Sequence, residues 1–226
     1  MGVRSFHQPS AQALARAGEQ ASALHNNCSG KHSGFLCAAC AMGAETASYV
    51  EAAHPAQREV KAALENLTGV TLGPPAVDGC SVPTWAVPLG ALARGFARFV
   101  TGEGLLPVRA KAAARLRTAC AQHPWHVAGT GRFCTNLMSA FGERVFVKTG
   151  AEGVACAALP ELGLGIAVKC DDGAGRAAEV MLAAAIARFL NSDADRAALA
   201  RYVRPVMRNW NGIEVGSLRP TAAIES

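Results

Sequence analysis

A chain of 226 residues can bury a sizeable core in one domain, and 50% hydrophobic with 17% charged residues excludes an intrinsically disordered polymer. The formal net charge of +5 rests mostly on arginines spread along helical segments. The densest basic run, Arg109 to Arg117, has the spacing of a solvated helix face without interleaved aromatics, so no nucleic-acid partner is expected. Apolar helical segments are short and interrupted by arginine, so no membrane span is expected either.

Met1-Gly2-Val3-Arg4-Ser5 leads into no apolar h-region, and Phe6 takes the place where myristoylation needs Ser or Thr. Eight cysteines without a secretory leader point to a reducing, cytoplasmic setting, where cysteines serve as apolar fillers, metal ligands or nucleophiles.

In chain order, a short helix is predicted over residues 10–17, capped by Ser10 and stopped by Gly18. Leu24 to Gly34 gathers a thiol, hydroxyls, imidazoles, amides and an ammonium, read as a loop feeding a helix over 33–43. A helix from His54-Pro55 to Leu67 carries the apolar stripe Val60, Leu64, Leu67. Gly73 to Thr84 is turn-rich, with Pro74-Pro75 and Asp78-Gly79. Helices follow over 88–100, with Leu89, Leu92, Phe96 and Phe99 on one side, over 107–121, and over 136–141.

The period then changes. Residues 144–149, 154–158 and 164–169 read as short strands of an antiparallel meander. Helices are predicted over 176–190 and from about 194 to 207, and the polar-aromatic tail Arg208 to Gly212 is expected to close the domain. The whole reads as one α+β domain, 1–226: helices around a partial antiparallel sheet.

Several constellations could carry chemistry. Cys28 and Lys31 are three apart at the loop-to-helix junction, and Cys80 lies in the other polar turn. Two thiolates and a nitrogen would suit zinc, and two structural cysteines are the alternative. Cys37-x-x-Cys40, inside an Ala-rich helix, reads as small helix-packing residues. Arg132 beside Cys134 offers a cation for a thiol or a substrate carboxylate, or simply a turn with a buried cysteine. Lys148-Thr149-Gly150 ends a strand, as in serine acyl-transfer enzymes that also carry Ser-x-x-Lys. No serine here has lysine three residues on, and Gly-x-Ser-x-Gly, His-Glu-x-x-His and Walker A patterns are absent. Asp171-Asp172 reads as a turn and helix cap, with orientation of Lys169 as the alternative.

Taken in order, His25 to His32, Asp78 to Thr84, Gly129 to Phe133, Lys148 to Gly153 and Lys169 to Gly173 resemble the rhizobial-type L-asparaginase II family from about Pro9 to Pro220. The resemblance implies a fold similar to serine β-lactamases and glutaminases, and hydrolysis of L-asparagine by a Ser-Lys tandem. It implies zinc held by residues matching Cys28, Lys31 and Cys80, with Asp78 and Lys148 catalytic and Ser29, Arg132 and Cys134 on the substrate side. A homodimer is compatible with it. The family's Ser-x-x-Lys segment would fall before Met1, so the chain resembles the C-terminal two-thirds of such an enzyme. Little or no turnover is expected of residues 1–226 alone. A zinc- or ligand-binding remnant, or a subunit, is the alternative.

Overall fold

The computed structural model describes residues 8–190 and 192–225; Met1 to Ser5 and Phe6, read above for leader and lipid signals, lie outside the described residues. The chain forms two compact units: Met1–Asn66 with Val70–Ala86, and Leu67–Gly69 with Val87–Ser226.

The first unit contains α1 (Gln8–Ala17), α2 (Ser29–Ala41), most of α3 (Pro55–Thr68), and the two-residue strands β1 (Ala76–Val77) and β2 (Pro83–Thr84). Helix α1 begins two residues before Ser10, which therefore lies inside it and does not cap it. Helix α2 begins at Ser29, four residues earlier than the pattern predicts. The pattern misses this start because Gly30, Ser33 and Gly34 are poor helix formers. Cys37 and Cys40 are exposed on α2, so they are not packing residues as read above. Strands β1 and β2 pair antiparallel, Ala76 with Thr84 and Val77 with Pro83.

The second unit holds α4 (Leu89–Thr101), α5 (Pro107–Gln122), α6 (Pro124–Ala128) and α7 (Phe133–Phe141). The sheet β3 (Phe146–Thr149), β4 (Val154–Leu159), β5 (Leu164–Lys169) comes next, then α8 (Gly175–Ala187) and α9 (Asp193–Val203). The predicted meander is present: β3-β4-β5, antiparallel, with Lys148 opposite Cys156 and Leu159 opposite Leu164. Five of the six residues of β4 are buried, and the core joins Val147, Ala155, Ala157 and Leu159 to Leu137 and Met138 of α7 and Leu182 and Ile186 of α8.

Helix α4 lies close on β5. A Cβ built on Gly165 would stand 1.9 Å from the Ala93 carbonyl oxygen, so only glycine permits this approach. The buried residues of α4 are accordingly small or slim, Ala91, Gly95 and Val100. Phe96 and Phe99 stack on Phe146, with ring centroids 5.8 and 5.0 Å away, while Leu89 is exposed, unlike its predicted place on the apolar side.

Arg144 donates to both carboxylate oxygens of Asp195, at 2.8 and 3.1 Å, in the first turn of α9. Ser192 caps that helix by accepting from the Asp195 N–H.

The last predicted helix stops at Val203, ahead of Pro205, which cannot supply an interior helical N–H. Strands β6 (Val206–Arg208) and β7 (Glu214–Ser217) follow as a hairpin. The Asn209 carboxamide accepts from the N–H groups of Asn211 and Ile213 and shapes its turn. Trp210 at the tip is fully exposed, so the tail does not close the domain as predicted. The last helix, α10 (Ala222–Glu225), is one turn long. Among the described residues no helix is long and apolar enough to cross a membrane.

Candidate active site

The first unit brings four of the predicted residues together. Cys28 is the N-cap residue of α2 and Lys31 lies one turn on, so the real helix start puts both at one helix end. Asp78 and Cys80 occupy the turn between β1 and β2. That turn is held by Asp78 N–H to the Val82 carbonyl at 2.9 Å, Ser81 N–H to the Asp78 carbonyl at 2.8 Å and Gly79 N–H to Asp78 Oδ1 at 2.7 Å. Ser81 adopts a left-handed φ of 78°, a strain that keeps the turn tight around Cys80.

Asp78 Oδ2 is the hub. It accepts from Lys31 Nζ at 3.2 Å and from the Cys80 thiol at 3.3 Å. These bonds hold the Asp78 carboxyl below its ordinary pKa, against a smaller effect of burial. Burial pulls the Lys31 ammonium downward, but hydrogen bonds to Cys80 and Asp78, with the charges of Cys28 and Cys80, outweigh it and its pKa stands raised. Burial raises the Cys28 thiol; the Lys31 cation opposes this, and Cys80 and Asp78 add to it. Cys28 and Cys80 are both half-exposed, which disfavours the reading as buried structural cysteines.

The donor chemistry of two thiols and an amine suits zinc, provided their protons leave as the ion binds. Among the described residues no group of three or more His, Cys, Asp or Glu side chains forms a metal cluster, so any such site depends on the Lys31 nitrogen.

A cleft of about 330 Å³ opens beside Cys80, walled by Leu24, Asn26, Ser29, His32 and Tyr49 among others. The predicted substrate residue Ser29 therefore lies on it. His32 Nδ1 and the Tyr49 hydroxyl are 2.6 Å apart. Tyr49 lies in an irregular segment without periodicity, and no sequence signal singled it out.

The second unit holds the remaining candidates. Cys134, in the first turn of α7, is 1% exposed; its sulfur accepts from the Thr149 N–H at 3.2 Å and lies 3.4 Å from the Thr149 hydroxyl. The Lys-Thr-Gly strand end thus meets the predicted thiol through Thr149. Lys148 itself is exposed, its ammonium donating to the Thr149 carbonyl at 2.6 Å. Arg132 is the N-cap residue of α7. It acts electrostatically on Glu179, whose carboxyl is raised by burial and partly drawn back by the arginine. Neither that carboxyl nor its link to Arg132 was foreseen. Asp172 accepts from the Ala174 N–H and Lys169 donates to the Cys170 carbonyl, so the turn reading holds, but Ala174 and not an aspartate is the N-cap residue of α8.

No curated protein matches the chain. The profile of the L-asparaginase II family matches residues 2–220. That span reaches through most of both units and includes every candidate residue named here, and the chain belongs to the L-asparaginase II family.

Proposed function

We propose that this protein serves L-asparagine hydrolysis to L-aspartate and ammonia, as an amidohydrolase of the rhizobial, zinc-containing type. The observation that carries the reading is the convergence of Cys28, Lys31, Asp78 and Cys80 beside an open cleft, in a chain of this family. Cys28 Sγ, Cys80 Sγ and Lys31 Nζ would hold zinc, their protons leaving to solvent as the ion binds, with Asp78 orienting the turn. When bound, zinc supplies Lewis-acid polarisation next to the substrate. Ser29 contributes a hydroxyl on the cleft wall. For Lys148, Arg132 and Cys134 of the second unit, the family resemblance alone supports a part in the reaction; within that unit Cys134 accepts from the Thr149 N–H at the strand end that carries Lys148.

Acyl transfer in this reaction class uses a serine that attacks the amide carbon and a lysine that takes its proton, after which water clears the acyl-enzyme. Residues 1–226 contain no Ser-x-x-Lys, and this favours a second reading: the chain supplies orienting groups, as a ligand-binding remnant or as a subunit completed by a nucleophile segment from elsewhere. Both readings place it in the cytoplasm, in keeping with eight free cysteines, and allow a homodimer.

Ammonia release by purified 1–226 tests the pair. Little or no release, restored when a Ser-x-x-Lys segment of the family is supplied, is the expected result. Robust release lost in Cys28→Ala would show that residues 1–226 carry their own nucleophile. Metal analysis should find about one zinc per chain, lost in Cys80→Ala; no zinc at any pH would leave the thiols structural.

A further inference from the structure

The segment between α2 and α3 has no regular secondary structure, yet it is pinned throughout. The Glu45 carboxylate accepts from the N–H groups of Ala47 and Ser48, at 2.6 and 3.0 Å. His54 Nε2 lies 2.8 Å from the Glu45 carbonyl, and its Nδ1 accepts from the Ala56 N–H at 3.1 Å. Gln57 of α3, 1% exposed, donates to the Tyr49 carbonyl at 2.8 Å. The Glu45 and His54 bonds hold the segment on either side of Tyr49, and the Gln57 Nε2 donor is the one that reaches its backbone.

Tyr49 in turn fixes His32. The hydroxyl meets Nδ1 at 2.6 Å, the two rings stand at 90° with centroids 5.6 Å apart, and Phe35 closes on the imidazole edge at 6.2 Å. A phenol donating to Nδ1 places the proton of a neutral imidazole on Nε2. Nε2 has no protein partner among the described residues, and His32 lines the cleft beside Cys80.

The same wall carries the Ser29 hydroxyl, also without a partner among the described residues. Asn26 lines the cleft as well; its carboxamide oxygen accepts from the Cys28 N–H at 2.8 Å, which leaves its NH₂ group to serve as a donor. No Asp or Glu is among the residues lining this cleft, and Leu24 and Leu36 supply its apolar part.

We propose that His32, held in its Nε2–H tautomer by Tyr49, reads a carboxylate of a small amino-acid ligand in this cleft, with Ser29 and Asn26 as accompanying donors; Tyr49 is the positioning residue. The inference rests on the asparaginase reading for its ligand class, a four-carbon amino acid such as L-aspartate or L-asparagine.

Two measurements on the full chain decide it. Imidazole ¹⁵N NMR at alkaline pH should show His32 in the Nε2–H tautomer, and Tyr49→Phe should shift it to a mixture. In calorimetric titration with L-aspartate, His32→Leu should weaken binding about 10–100-fold, the worth of one hydrogen bond to a charged group. His32→Gln, which keeps a donor near the Nε2 position, should recover binding to within a few-fold, and Tyr49→Phe should fall between, with far-UV circular dichroism unchanged. An Nδ1–H tautomer in the unaltered chain, or L-aspartate binding indifferent to His32→Leu, overturns the proposal and leaves the asparaginase reading standing. Binding of succinate but of neither amino acid, still dependent on His32, overturns the asparaginase reading and keeps the carboxylate role. Absence of binding by all three overturns both.

Discussion

Asp195 is 5% exposed and receives both terminal nitrogens of Arg144, with Ser192 capping the same turn. The hydrogen bonds from Arg144 lead, and Ser192 adds to them, in lowering its carboxyl to about 2. A carboxylate depressed in the folded state stabilises the fold above its unfolded pKa of about 3.9 and loses that contribution as pH falls through the folded value. Asp195→Asn should therefore lower the thermal midpoint at neutral pH, and its deficit relative to the unaltered chain should shrink between about pH 4 and pH 2. A deficit constant across that window would mean that the charge is immaterial. This pair was not legible beforehand, because 51 positions separate its members and neither stands in a motif. Cys28, Lys31 and Cys80 were legible because their residue types are wasteful in a core and the motif order is specific. Tyr49 was not, since only tertiary contact gives its hydroxyl a task.

The three-stranded meander is the element best read from sequence. Gly and Pro turns bracket it, and its strands are short, mainly apolar runs, with Lys148 near the end of β3 and Lys169 ending β5. Its decisive residue hides among them. Gly165 is the second residue of the predicted and observed strand, and nothing in the pattern marks it as the point where α4 touches the sheet. Gly165→Ala would press a methyl against the Ala93 carbonyl and the Ala97 N–H, so denaturant titration should show a loss of about 3 kcal/mol or more. Gly175→Ala, at the start of α8 with open space around its Cβ, is the matched control and should change stability by no more than about 1 kcal/mol, in the stabilising direction. Equal effects at both sites would refute the close-approach argument. The early start of α2 and the C-terminal hairpin escaped sequence reading for one reason. In both, local hydrogen bonding by Asn side chains, Asn26 to the Cys28 N–H and Asn209 to the Asn211 and Ile213 N–H groups, sets a start or turn that hydrophobic periodicity does not show.

At the scale of the molecule, the α+β class follows from the change of hydrophobic period near residue 144, but the division into two units does not. One crossing, at Ala86–Val87, lies in a proline-flanked stretch, but another cuts through α3, where the helical pattern runs unbroken. The predicted zinc site lies wholly in the first unit, which makes metal linkage a test of the native fold. Zinc at a hundredfold excess over its Kd should stabilise the folded chain by about 2.7 kcal/mol, reversed by a chelator and absent in Cys80→Ser. No thermal shift on loading would count against a site formed in the native state. The exposed thiols of Cys37 and Cys40 carry a practical consequence for every such measurement. Left in air without reductant, the protein should accumulate covalent dimers and higher species through them, visible as a ladder on a non-reducing gel and abolished by Cys37→Ser with Cys40→Ser. An apparent dimer mass read from an aged sample would then report the bottle's oxygen and not the protein's own association, so the homodimer question belongs to the double-serine chain.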